Sequence, residues 1–134
     1  MATARIEYQG KLRTKCTHLK SGESIYTDAP VDNNGKGSTF SPTDLLATAY
    51  VSCMITIMGI YCDKNSIDFK HCTADVTKEM GSGPRRVQRL TIEFNLSGND
   101  WTSEQKNNII KAGEACPVAM SVSDDMEVLI NYTF

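Results

Sequence analysis

The chain has 134 residues, with 14 Lys+Arg against 16 Asp+Glu and a formal net charge of -2. That size supports one domain, residues 1–134, around one core, and the charge balance excludes a general attraction to nucleic acid or to anionic membranes. Five cysteines (16, 53, 62, 72 and 116) form an odd set without framework spacing, and MATARIEYQG lacks the apolar stretch of a secretory signal. Both features point to a reducing cytoplasm and to free or transiently paired thiols.

Residues 3–9 alternate, with Ala4, Ile6 and Tyr8 on one face and Arg5 and Glu7 on the other, which predicts a half-buried strand. Gly10 allows a turn, and residues 11–18 resume the alternation. After Ser21-Gly22 a third short strand, 23–27, completes an antiparallel meander. Residues 30–40, PVDNNGKGSTF, read as a flexible loop. A glycine-rich segment before a helix could cradle a phosphate, but GKGSTFSP is neither a Walker nor a Rossmann pattern and lacks a βαβ context, so phosphate binding is not expected here.

Ser41 to Asp63, SPTDLLATAYVSCMITIMGIYCD, is the stretch around which the rest is organised. Ser41 suits an N-cap, Pro42 the first helical position, and Asp44 completes a Ser-x-x-Asp capping pattern. No charge occurs from Leu45 to Tyr61, and apolar residues fall on every side, so the helix is expected to be buried all round. The run is shorter than the about 20 apolar residues of a membrane span and lacks basic or Trp anchors, which favours a core helix and no membrane partner.

Residues 66–79 follow as an extended strand, then a glycine hairpin, then a strand from Arg86 to Leu96 with Leu90, Ile92, Phe94 and Leu96 facing inward. A second helix starts at a Thr102 or Ser103 cap and runs to about Ala115. Pro117 opens a short further helix (PVAMSVS) with Cys116 at its N-cap. Met126 to Phe134 is the last strand. Strands interleaved with lone helices, without βαβ rhythm, predict an α+β domain with a mainly antiparallel sheet. One sheet of this size cannot enclose the central helix, so a second subunit is expected to complete its burial.

Cys53, midway along the central helix, and Cys116, at a helix start, are the candidate reactive thiols. A free cysteine is most often a small buried hydrophobe. At an N-cap, however, exposed N–H groups favour the thiolate and lower the pKa of Cys116. Two such thiols suit peroxide chemistry, in which one becomes a sulfenic acid and the other condenses with it. Cys16, His18, His71 and Cys72 could hold a metal only if their strands met, and adjacent His71 and Cys72 point to opposite faces. Cys62 reads as helix-end packing, and Arg85, Arg86 and Arg89 as a solvated basic cluster. Tyr50, Met54, Met58 and Met120 suit either an apolar pocket or plain core.

FSPTDLLATAYVSCM, followed by EACPVAMSV and an alternating final strand, resembles the OsmC/Ohr family of organic hydroperoxide reductases, in its broad OsmC-like branch. The resemblance covers nearly the whole chain. It implies an intertwined homodimer with sheets wrapped around the central helices, acting on organic hydroperoxides in oxidative-stress defence. It also implies Cys53 as the attacking thiol, Cys116 as the resolving thiol, a thiol or lipoyl-type reductant, and no cofactor or metal. The family pairs an Arg from the early strands with a Glu at the helix start. Arg13 is the candidate Arg, whereas Thr43 occupies the position of the Glu and Asp44, one residue on, is the nearest acid. That displaced acid keeps open a second expectation, a non-catalytic OsmC-like protein that binds a small apolar ligand or serves the stress response.

Overall fold

Each apolar–polar alternation in the first third of the chain becomes a strand in the computed structural model, which describes all 134 residues. The strands are β1 (Ala4–Gly10), β2 (Arg13–His18) and β3 (Ser24–Asp28), paired antiparallel in that order. Ile6 lies opposite Cys16 and Cys16 opposite Ile25, whereas Arg13 lies opposite Asp28 on the other face. The chain groups into two compact units, Met1–Leu46 and Ala47–Phe134.

The central helix, α1, spans Pro42–Lys64. Its start is the predicted capping box: the Ser41 N–H donates to Asp44 Oδ2 at 2.9 Å, and the Asp44 N–H donates to Ser41 Oγ at 3.0 Å. Over 23 residues, with a window of mean hydropathy 1.8, the helix has the length and composition of a membrane span, so its length does not separate the two readings as expected. Its packing favours a core helix. Ala47, Tyr50, Val51, Met54, Met58 and Cys62 form a stripe, at spacings of mostly three or four, that is buried in the core of the second unit. The expected burial on all sides is not met, because Ala49, Ser52, Thr56 and Ile60 form an exposed opposite stripe.

The second unit also holds β4 (Thr73–Gly81), β5 (Arg86–Asn95), α2 (Ser103–Glu114) and β6 (Glu127–Thr133). The α+β class and the mainly antiparallel pairing are as predicted, but the strands do not form one sheet. There are two three-stranded sheets, and in the second β5 is central, antiparallel to β4 and parallel to β6. The crossover through α2 returns the chain to the β5 edge in the same direction. As predicted, Leu90, Ile92, Phe94 and Leu96 are buried, at 0–2% exposure. Val87 faces inward as well, although it lies three residues from Leu90, because a bulge between the Glu79–Arg89 and Met80–Val87 pairs rephases the strand.

The expected strand at 66–79 begins only at Thr73. Residues before it are held from outside instead. Asn99 Oδ1 accepts the Lys70 and His71 N–H groups at 2.8 and 3.2 Å, and Trp101 Nε1 donates to the Asp68 carbonyl at 2.8 Å. A chain whose N–H groups are satisfied this way has no ladder position to fill. Trp101 also stacks on Phe69 with centroids 5.4 Å apart. α2 has the predicted Thr102 cap, completed as a capping box by Gln105.

Candidate functional site

Within the second unit, α1 and the end of α2 meet at Gly113. A Cβ built there would lie 2.6 Å from Met58 Cε and 3.0 Å from Met58 Cγ, and 3.4 Å from the Met54 carbonyl oxygen. Glycine at 113 leaves the space that the end of the Met58 side chain fills, so any larger residue makes that side chain shift. Gly113 is therefore a site residue that motif reading missed. Its signal in the sequence was a glycine within a helix, where glycine is unfavourable unless something needs the space.

Three residues further on is Cys116. Its N–H donates to the Gly113 carbonyl at 3.2 Å, which closes the helix end. The short helix expected after Pro117 is a turn followed by one 3-10 turn, Ala119–Ser121. The capping geometry nevertheless exists, since the Ala119 N–H donates to Cys116 Sγ at 3.4 Å. The consequence for acidity is the reverse of the expectation. Burial pushes the Cys116 thiol up, the Ala119 and Val118 N–H groups pull it down by less, and the neighbouring Cys53 thiol pushes it up again. At a site with no exposed surface, loss of hydration outweighs two amide dipoles.

Cys53 lies on α1 beside Met54. It stands near enough to Cys116 for a hydrogen-bonding interaction between the two thiols to figure in the Cys116 shift. Cys53 is half-buried and Cys116 fully buried. Tyr50 is the aromatic hydroxyl next to Cys116, and Glu114 and Tyr132 adjoin Tyr50. Tyr50 is pushed up chiefly by burial and then by the charges of Cys116 and Glu114. Tyr132, stacked on Phe94 at 5.3 Å, donates its hydroxyl to Glu114 Oε1 at 2.9 Å. Burial raises the Tyr132 phenol strongly, so it stays a donor at any ordinary pH.

The other candidate residues are engaged as follows. In the first unit, Arg13 Nε donates to Asp28 Oδ1 at 2.9 Å and its Nη2 to Oδ2 at 3.4 Å and to Ser38 Oγ at 3.3 Å. Asp28 is 3% exposed, and Arg13 and Ser38 hold its carboxyl down at about 2. The acid that engages Arg13 is thus one the sequence reading did not single out. Asp44 caps α1 through Ser41. Met54 and Met58 are core, at 0% exposure, whereas Met120 is 68% exposed. Arg89 is bound by Glu79 and Glu127 at 3.3 and 2.8 Å. His18 Nδ1 pairs with Ser21 Oγ at 2.7 Å, and no group of three or more His, Cys, Asp or Glu converges as a metal site would.

A three-stranded antiparallel meander, a long apolar helix and a second three-stranded sheet with a parallel β5–β6 pair define an α+β chain of OsmC-like class. More particularly, it belongs to the OsmC family: the family model for OsmC-like proteins matches residues 35–131. A structure from Psychrobacter arcticus, described as an osmotic stress induced and detoxification response protein, is 43% identical. The alignment covers 99% of this chain and 96% of that one, with a TM-score of 0.93. The fold extends to an organic hydroperoxide resistance protein OsmC from Legionella pneumophila (13% identity, 100% and 98% coverage, TM-score 0.75). It extends also to the organic hydroperoxide resistance protein OhrB of Bacillus subtilis (18% identity, 98% coverage of both, TM-score 0.69). No curated protein sequence matches the chain. The family thus includes proteins named for resistance to organic hydroperoxides.

Proposed function

We propose that the protein is a cytoplasmic thiol peroxidase that reduces organic hydroperoxides in oxidative-stress defence. The observation that carries it is the Cys53–Cys116 pair and its asymmetry, with Cys53 half-exposed on α1 and Cys116 fully buried, its thiol raised by burial and by the neighbouring Cys53. The Cys53 thiolate attacks the O–O bond and, with one proton taken up, yields a sulfenic acid and the alcohol. The Cys116 sulfur then displaces the sulfenic hydroxyl, which leaves with the thiol proton as water, and a disulfide forms. A dithiol, of lipoyl or small-thiol type, restores both thiols and is itself oxidised to a disulfide. Arg13 and Asp44 belong to the same proposal as the groups that hold thiolate and peroxide.

The functional form in this reading is a homodimer. On α1, the exposed stripe of Ala49, Ser52 and Thr56 is small enough for close helix contact, and beside it lies a groove of about 380 Å³ lined by Val51, Ile55, Ala74 and Val76. In the first sheet, Ile6, Tyr8 and Ile25 share a face and are 52–68% exposed. Apolar surface of this kind on both units fits a second copy of the chain. Sedimentation at micromolar concentration should give a dimer, and Thr56→Arg should give a monomer; a monomeric parent protein would remove the dimer from the proposal.

The decisive assay is consumption of cumene hydroperoxide with a dithiol in excess. Turnover should vanish in Cys53→Ala. Equal consumption by the parent protein and Cys53→Ala would refute the peroxidase and leave a ligand-binding protein of the same fold.

A further inference from the structure

We propose that the first unit contains a binding site for a phosphate dianion, inorganic or a small soluble phosphate monoester. The site is a cavity of about 290 Å³ lined by Lys11, Arg13, Asp28, Lys36, Ser38 and the β1 end. It shares Arg13 with the proposed peroxide site but stands on the cavity's own lining and not on the peroxidase reading.

Two tied loops build the cavity. The β1–β2 turn places Lys11 and Leu12 in left-handed backbone at φ 53 and 64. Such a turn is normally made by Asn-Gly, so Lys11 sits there against backbone preference. The Leu12 carbonyl accepts the Ala29 N–H at 3.1 Å, which fastens this turn to the following loop. That loop closes on itself: the Gly35 N–H donates to the Pro30 carbonyl at 2.9 Å and the Gly37 N–H to the Ala29 carbonyl at 3.2 Å. At Gly35 any Cβ would lie 1.7 Å from the Ala29 carbonyl oxygen, so the closed form requires glycine. Lys36 stands between the two glycines, and in this way the closure brings it to the same cavity as Lys11.

Asp28 organises the cavity without neutralising it. Its Oδ1 accepts from Arg13; its Oδ2 accepts from Arg13, from the Ser38 N–H at 3.1 Å and from the Ser38 hydroxyl. Both oxygens are thus occupied. Three cations face one carboxylate, which leaves two positive charges without a partner in the cavity. Lys11, Lys36, Arg13 and Gln9, all hydrogen-bond donors, line this one cavity. A tetrahedral dianion matches that charge and uses charge-assisted hydrogen bonds from Lys and Arg, whereas a monoanionic carboxylate matches half of it. The volume is at the lower end of the about 300–1,000 Å³ usual for small-molecule sites, enough for phosphate with a short organic substituent.

The test is calorimetric titration of the full chain at constant ionic strength and pH 7.5 with inorganic phosphate, glycerol 3-phosphate and sodium chloride, and flotation with phosphatidic-acid vesicles. Saturable binding of either soluble phosphate, absent with chloride, is expected. Lys11→Ala and Lys36→Ala should each weaken it about tenfold. Lys20→Ala, an equal charge change elsewhere on the surface, should leave it unaltered. Circular dichroism and hydroperoxide turnover of the two variants should match the parent, which separates lost binding from lost folding and from any failure of the peroxidase reading. No saturable phosphate binding, or equal weakening by Lys20→Ala, overturns the site. Binding to vesicles with none to soluble phosphate overturns the assignment to a soluble ligand.

Discussion

Substituting Gly113 tests whether the approach of α2 to α1 is what makes the thiol pair. In Gly113→Ala the new Cβ meets Met58 Cε at 2.6 Å and Met58 Cγ at 3.0 Å, against about 3.5–4.0 Å for relaxed carbon contact. Met58 is fully buried, so its side chain has little room to turn away. Overpacking of this kind costs about 1–3 kcal/mol, and the better helix propensity of alanine returns about 1 kcal/mol. The net loss is about 1 kcal/mol, or a fall in Tm of about 4 °C for a chain of this size. Gly113→Val adds two methyls that also press on the Met54 carbonyl, 3.4 Å from the Cβ, and should cost about 3 kcal/mol. The helix end must then move by about 1 Å, a displacement that can slow a positioned reaction by about a hundredfold. Thermal unfolding gives the stability. The rate comes from adding one equivalent of hydroperoxide, quenching with an alkylating agent and counting disulfide by mass. If Gly113→Val formed the Cys53–Cys116 disulfide at the parent rate with unchanged Tm, the close approach would have no part in the site.

Cys116→Ala should fold, because it removes little more than one buried methylene equivalent, about 1 kcal/mol. After one equivalent of hydroperoxide the parent should lose about 2 Da as a disulfide, while the variant gains about 16 Da as a Cys53 sulfenic acid; a loss of 2 Da in the variant would place the second sulfur elsewhere. Because burial raises the Cys116 thiol, only a minor fraction is ionised at neutral pH, and stopped-flow disulfide formation should accelerate about tenfold per pH unit from pH 6 to 8. A flat profile would show that its ionisation does not limit the step. Asp28, held at about 2, contributes stability that is complete above the usual carboxylate range near pH 4 and is lost as pH falls toward 2. Its carboxyl resonance should titrate near 2, and Asp28→Asn should remove that acid-dependent loss; a midpoint near 4 would contradict the Arg13 pairing. Trp101→Phe keeps the ring stack but leaves the Asp68 carbonyl without its donor, at a cost of about 1–2 kcal/mol by chemical denaturation.

Where a local rule decides an element, the sequence carried it alone. Period-two alternation fixed β1, β2 and the inward face of β5, and the capping box at Ser41–Asp44 and a cap at Thr102 or Ser103 were legible because their partners lie within one turn. The two candidate thiols were singled out as well, Cys53 from its place on α1 and Cys116 from the start of an expected helix that the structure replaces with a turn and one 3-10 turn. What local pattern could not carry depends on space between elements. Period and composition make α1 apolar on every side, but only the packing of the second unit decides which stripe of one chain is covered. The parallel pairing of β6 with β5 and the delay of β4 to Thr73 follow from partners distant in the chain, such as Asn99 and Trp101. Cys116 shows the same limit in its acidity. Its helix-start position argued for a lowered pKa, and the tertiary structure reversed the sign, because desolvation is set by everything packed around a group and outweighs the few dipoles its neighbours in sequence supply.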